Sequence, residues 1–359
     1  MALILLLLLA LPASAIQPAT LFLGPGAPAT VFSPAGITFC GGAWLVVDTT
    51  DCVVERCDGV HPCTLVAGNF TCGLSGDNGP ATSAQLNAPT GVACSNGLVF
   101  ITDMGNGRVR VVLSDGTIQS AMPGFQQPMG IAVDAQGRIY VADVSSNVNK
   151  VYRFAMGGVL ETIAGNGQWG DSGDGGPATN ASMRNPVSIA IDGPNIYVAE
   201  LGGNRIRLIF GGSIISTYAG TGFSGDTDGP VGQATFSAPR AIALAPDGSL
   251  YVGTATVMRR IAGGQVTTVS TSLGGAGNTG LTTDTGSAYE TIPPVNKVWK
   301  LPLVGVTPGV PTATATVAPT AIATATRTPT TVATPTSTSG IPFCPMPCVA
   351  PPGAVLRPS

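Results

Sequence analysis

Three stretches of this chain set acidic residues among glycines, as loops that hold a cation or a phosphate do: SGDNGPATSAQLNAP from Ser75, SGDGGPATNASMRNP from Ser172 and SGDTDGPVGQATFSAP from Ser224. Each carries a Ser-Gly-Asp with Asp77, Asp174 or Asp226, then a Gly-Pro step, and each is preceded by one aromatic, Phe70, Trp169 or Phe223. A calcium loop needs several oxygen ligands at fixed spacing, and the pattern D-x-[DN]-x-[DN]-G is absent from all three. Glycine supplies positive φ and aspartate accepts local backbone N–H groups, which is what a folded loop needs for its own sake. After Pro80, Pro177 and Pro230, apolar residues recur at the first, fourth and sixth positions (Ala81, Ala84, Leu86; Ala178, Ala181, Met183; Val231, Ala234, Phe236). A proline opening one helical turn with a small apolar face fits that pattern. The expectation is a structural flap that docks through its aromatic, with a Ca2+ site that includes Asp174 as the rival.

A second group of acids, Asp48, Asp103, Asp143 and Glu200, closes apolar runs such as LVFITD and IYVAD. Brought onto one face they could bind a cation or a basic ligand. Alternatively each caps the turn that follows or pairs with a nearby base, Asp103 with Arg108 and Glu200 with Arg205. Nucleophilic and zinc chemistry find little to work with. The only histidine is His61, no G-x-S-x-G elbow occurs and no Cys-x-x-Cys pair exists. No catalytic residue and no resident cofactor is assigned.

The elements that must position these residues repeat. Aligning Ile37, Val92, Ile131, Ile189, Ile242 and Leu281 gives spacings of 55, 39, 58, 53 and 39. The bare unit is therefore the shorter one, and the long spacings carry the three insertions, before units two, four and five. A unit reads as an apolar run (GIAVD), a Gly turn, a second run (RIYVAD) and two alternating strands. Four strands in about 40 residues, six times over, predict an all-β, six-bladed propeller whose radial packing hides the sheet edges. The motif P-x-G-I-A-V-D…G-x-I-Y-V-A-D…N-x-R-I-R, fullest at Pro128–Phe154 and clear at Pro89–Val112 and Pro186–Ile209, resembles the NHL-repeat family in the long form of teneurins and bacterial exported proteins. The resemblance runs from Thr20 to Leu303 and departs from the motif in unit five, where Gly253-Thr254 replaces Ala-Asp, and in unit six. It implies the propeller fold; its members include binding platforms, adhesion modules and a few lyases, so it leaves activity open.

The flanks differ. Residues 1–15, MALILLLLLALPASA, read as a signal peptide cut after Ala15, too short for a transmembrane helix. The propeller spans 16–304. Residues 305–340, rich in Thr, Pro and Ala with Arg327 as the only charge, form a disordered linker or stalk, and 341–359 is a short Cys-containing segment. Eight cysteines in an exported chain imply disulfides: Cys57 with Cys63 across a turn-rich loop, Cys344 with Cys348, and Cys40, Cys52, Cys72 and Cys94 with pairing open. A formal charge of −3 gives no reason to expect nucleic acid. The expected function is a secreted or cell-surface binding or scaffold module for a protein or glycan partner, not an enzyme. Its contacts would come from Phe70, Trp169, Phe223, Arg108 and Arg205 on the loop-bearing face. The alternative is a divalent-metal-dependent lactonase- or lyase-like enzyme at the mouth of the central channel.

Overall fold

The six apolar GIAVD-type runs become the innermost strands of six antiparallel sheets, Pro34–Cys40, Pro89–Ser95, Pro128–Val133, Pro186–Asp192, Ala241–Leu244 and Gly280–Thr283. The computed structural model describes residues 20–23, 33–145, 147–271, 280–292 and 297–303, all within one unit, and these form the six-bladed propeller. Neighbouring sheets pack face to face through Val, Ile, Ala and Tyr from both, as where Ile101, Val92 and Ile118 of blade 2 meet Leu45, Val47 and Val54 of blade 1. Residues 1–15, which the sequence reading takes as a signal peptide, the segment 305–340 and the Cys344/Cys348 pair lie outside the described residues.

Glycine in the P-x-G-I motif has a geometric cause. The first strands converge on the axis, and a Cβ on Gly130 would stand 2.5 Å from the Val187 carbonyl oxygen and 2.8 Å from the Ser188 Cα of the next blade. Gly130→Val should therefore lower stability by about 1–3 kcal/mol, as overpacking does. Thermal melts beside Gly232→Ala, where an added Cβ meets nothing within 4 Å, check this; equal melting of the two variants would contradict it.

The ring closes with strands from both ends of the propeller. Thr20–Leu23 pairs antiparallel with Lys297–Pro302, so the sixth blade takes its outermost strand from the N-terminal side. Two disulfides then tie the first blade to its surroundings and a third lies within it. Cys40–Cys94 joins the first strands of blades 1 and 2. Cys52–Cys72 joins the turn after Asp48 to the first insertion, and Cys57–Cys63 closes the loop holding His61. His61 Nδ1 lies 2.6 Å from the Asp58 carboxylate at the surface, which holds Asp58 well below the usual carboxylate range.

Candidate functional site: the flap-bearing face

Each insertion leaves an outer strand, crosses the rim of the propeller and returns to the axis. On the way it adds to the outer edge of the blade that follows. Gly79–Pro80 pairs with Thr117 and Ile118, Gly229–Pro230 pairs with Gln265 and Val266, and in blade 4 the contact shrinks to a bridge between Pro177 and Ile214. Single turns of 3-10 helix follow the proline at Ala81–Ser83 and Ala178–Asn180. The small apolar residues after the prolines are what bury: Ala81, Ala84 and Leu86; Ala178, Ala181 and Met183; Ala234 and Phe236. Gly173, at φ +99, turns so close beneath this helix that a Cβ there would meet the Ala181 Cα at 2.6 Å.

The aromatics do not dock the flaps, contrary to the first of the two roles expected of them. Phe70, Trp169 and Phe223 are 60%, 54% and 77% exposed. The flaps dock through these post-proline apolar residues, which range from Ala84 to Phe236 and are fully buried, and that leaves each pre-turn ring outside. Trp169 rests its edge on the backbone at Gly202, in the turn after Glu200. Gly73 accepts from the Asn106 side chain, and Gly222 accepts from that of Asn204. All three flaps therefore touch turns that follow a second strand, which puts them on one face.

The flap aspartates point inward, onto arginine. Arg110, Arg207 and Arg259 are fully buried, and each lies between two carboxylates. Arg110 meets Asp77 at 2.7 Å and Asp103 at 3.6 Å; Arg207 meets Asp174 at 2.6 Å and Glu200 at 3.3 Å; Arg259 meets Asp228 at 2.7 Å and Asp226 at 3.7 Å. The same guanidinium groups donate to flap carbonyls, Gln85 and Ser75, Ser182, and Thr235 and Thr227. Asp174 thus ties its flap to the blade, accepting from the Arg207 guanidinium through one oxygen and from the Thr217 N–H through the other. Unit five shows the same arithmetic by another route. Thr254 stands where the other flap-bearing blades have Asp103 or Glu200, and the flap compensates with a second aspartate, Asp228.

The strand-end acids are likewise consumed one blade at a time. Asp143 accepts the Gln126 and Gln127 N–H groups, and Asp103 accepts from Asn87 N–H and the Asn106 amide. Burial pushes both carboxyls up despite these bonds. Burial pushes Glu200 further, to about 7, against the pull of Arg207. Among the described residues no three His, Cys, Asp or Glu side chains come together as a metal ion requires. The pairing expected from sequence is also displaced by one step: Asp103 and Glu200 pair with Arg110 and Arg207, not with Arg108 and Arg205. Arg108 instead bonds the Asn106 carbonyl and Ser120, and Arg205, with little exposed surface, bonds the Gly203 carbonyl. Neither is an extended arm on the surface.

At the axis the same face opens into a cavity of about 310 Å³ lined by all six first strands, with Leu201 and Thr49 at its rim. Its wall is mostly apolar and contains no carboxylate among the described residues.

Comparison with known proteins agrees with this architecture. The NHL repeat profile matches residues 125–154. Teneurin-3 of Danio rerio is 30% identical over 201 residues, 49% of this chain and 7% of that protein. Teneurin-1 of Mus musculus is 29% identical over 228 residues, 52% of this chain and 8% of that protein. The chain thus spans less than a tenth of the length of these relatives. Among solved structures, virginiamycin B lyase from Staphylococcus aureus with quinupristin has a TM-score of 0.53 at 13% identity, over 80% of this chain and 99% of that one. A gluconolactonase from Xanthomonas campestris has a TM-score of 0.56 at 14% identity, over 77% and 87%. Likeness at such identities concerns the fold alone. The repeat match over residues 125–154, the similarity to teneurins and the six sheets agree on a β-propeller that carries an NHL repeat.

Proposed function

We propose that this chain is an exported NHL-repeat propeller that acts as a binding or scaffold module, holding an extracellular protein or glycan partner on its flap-bearing face. The observation that carries this reading is Phe70. It is held at φ +62, a conformation costing an L residue about 1–2 kcal/mol, while its ring is exposed and contributes nothing to the core. Strain retained around an exposed aromatic points to a use outside the fold. Trp169 and Phe223 occupy the equivalent places on flaps fixed by buried Arg–Asp pairs, so three rings stand on rigid supports. Rigid aromatic anchors lose little entropy on binding and dominate interface energy. The three disulfides fit an oxidising compartment, and among the described residues no helix is long and apolar enough to cross a membrane.

The test is a triple variant, Phe70→Ala, Trp169→Ala and Phe223→Ala, screened with the wild type against glycan arrays and surface-protein libraries. Each exposed ring should matter little to stability, within about 1 kcal/mol. Binders of the wild type should lose tenfold or more in affinity on the triple variant. Retention of every binder by a correctly folded triple variant would remove the face from consideration.

A further inference from the structure

The cavity at the axis has one charged residue in its lining, Arg240. The corresponding positions after the motif proline are Ala35, Thr90, Met129 and Val187 in blades 1 to 4, so a single cation breaks an otherwise neutral ring. Arg240 donates its backbone N–H to Gly253, yet its side-chain Nε is buried without an acceptor. No acid answers it. All 19 Asp and Glu residues of the chain fall within the described residues, and their ion pairs go to other bases, such as Arg138, Arg184, Arg205, Arg207 and Arg260. This sets Arg240 apart from Arg110, Arg207 and Arg259, each of which is matched twice.

We propose that the channel mouth binds a small monocarboxylate with an apolar body, its carboxylate on the Arg240 guanidinium and its body against Ile37, Val92, Ile131, Ile189 and Ile242. The guanidinium fork matches a planar carboxylate in two parallel hydrogen bonds. One arginine neutralises one charge. A cavity of about 310 Å³ with an aliphatic wall accommodates a chain or ring of moderate size, and apolar pockets with few convergent polar groups are where such ligands bind. This site is independent of the exposed rings on the flaps.

Octanoate, octanol and inorganic phosphate serve as probes in titration calorimetry on the whole protein, with Arg240→Gln and Arg240→Lys as variants. Octanoate should bind saturably at one site. Octanol should bind at least tenfold more weakly, and phosphate should not bind. Arg240→Gln should lose tenfold or more in octanoate affinity, and Arg240→Lys, which keeps the charge without the fork, should fall between. The triple aromatic variant should bind octanoate as the wild type does, so this site and the flap face fail or succeed separately. Absence of saturable octanoate binding, octanoate affinity unchanged in a folded Arg240→Gln variant, or phosphate binding as tightly as octanoate would each overturn the proposal.

Discussion

Arg207→Met is expected to destabilise the propeller by about 3–5 kcal/mol near pH 8, because it leaves a buried carboxylate without its counter-charge. Glu200 is fully buried, and Arg207 is its ion-pair partner at 3.3 Å. Asp174, the other partner, is about half exposed and can be hydrated instead. The deficit should depend on pH, with a sign fixed by the direction of the Glu200 shift. Its carboxyl rises from 4.5 to about 7 in the fold, mainly through burial. The native state therefore holds a proton that the unfolded chain gives up. The stability linked to that proton is fully present below pH 4.5 and is lost as the pH rises through about 7. Arg207 restrains the rise, so its removal moves the carboxyl higher and widens the window. Denaturant titrations at pH 5 and pH 8 should show the smaller deficit at pH 5, and adding Glu200→Gln should restore most of the loss at pH 8. Equal deficits at both values, without rescue, would mean that Arg207 acts by packing alone.

The arginines show how much was legible and why the rest was not. Six units, their boundaries and the class of fold follow from the GIAVD and IYVAD runs, because hydrophobic period and turn residues are local signals. The pairs Arg108/Arg110 and Arg205/Arg207 were equally visible, two residues apart and so on one face of a strand. The useful signal was co-occurrence. The buried arginine is present in blades 2, 4 and 5, which have flaps, whereas strand register places Glu55, Tyr152 and Trp299 at its position in blades 1, 3 and 6. A flap aspartate and a strand arginine that appear and vanish together imply a contact, and Asp228 replacing the acid lost at Thr254 strengthens it. The exposure of Phe70, Trp169 and Phe223 was not legible, since an aromatic beside glycines serves a core or a surface equally well. Arg240 could not stand out either. A lone arginine after a proline becomes notable only when six first strands are wrapped around one axis and no carboxylate faces it.

A chain beginning after Leu23 is expected to lose about 3 kcal/mol or more and to unfold less cooperatively. Thr20–Leu23 is the outermost strand of blade 6, in register with Thr20 opposite Lys300, Leu21 opposite Trp299 and Leu23 opposite Val298. Its removal forfeits a handful of backbone hydrogen bonds, each worth about 1 kcal/mol net, and exposes Lys297–Pro302 as an unpaired edge open to other chains. The inner part of the junction would survive. Tyr289 and Val298 of blade 6 pack with Ile37, Val46 and Cys57 of blade 1, and the Trp44 and Tyr289 rings stand 4.7 Å apart. Blades 1 and 2 are held by Cys40–Cys94, whereas no disulfide among the described residues crosses between blades 6 and 1. Blade 6 should therefore detach first, leaving a partly unfolded species at intermediate denaturant. Hydrogen exchange would show early loss of protection at Ser287–Ile292 and Lys297–Pro302, ahead of Asn195–Glu200 in blade 4. A synthetic peptide carrying residues 16–24 should restore both protection and cooperativity when added in excess. If the truncated chain melts in one transition at the temperature of the full chain, the N-terminal strand does not hold the ring closed.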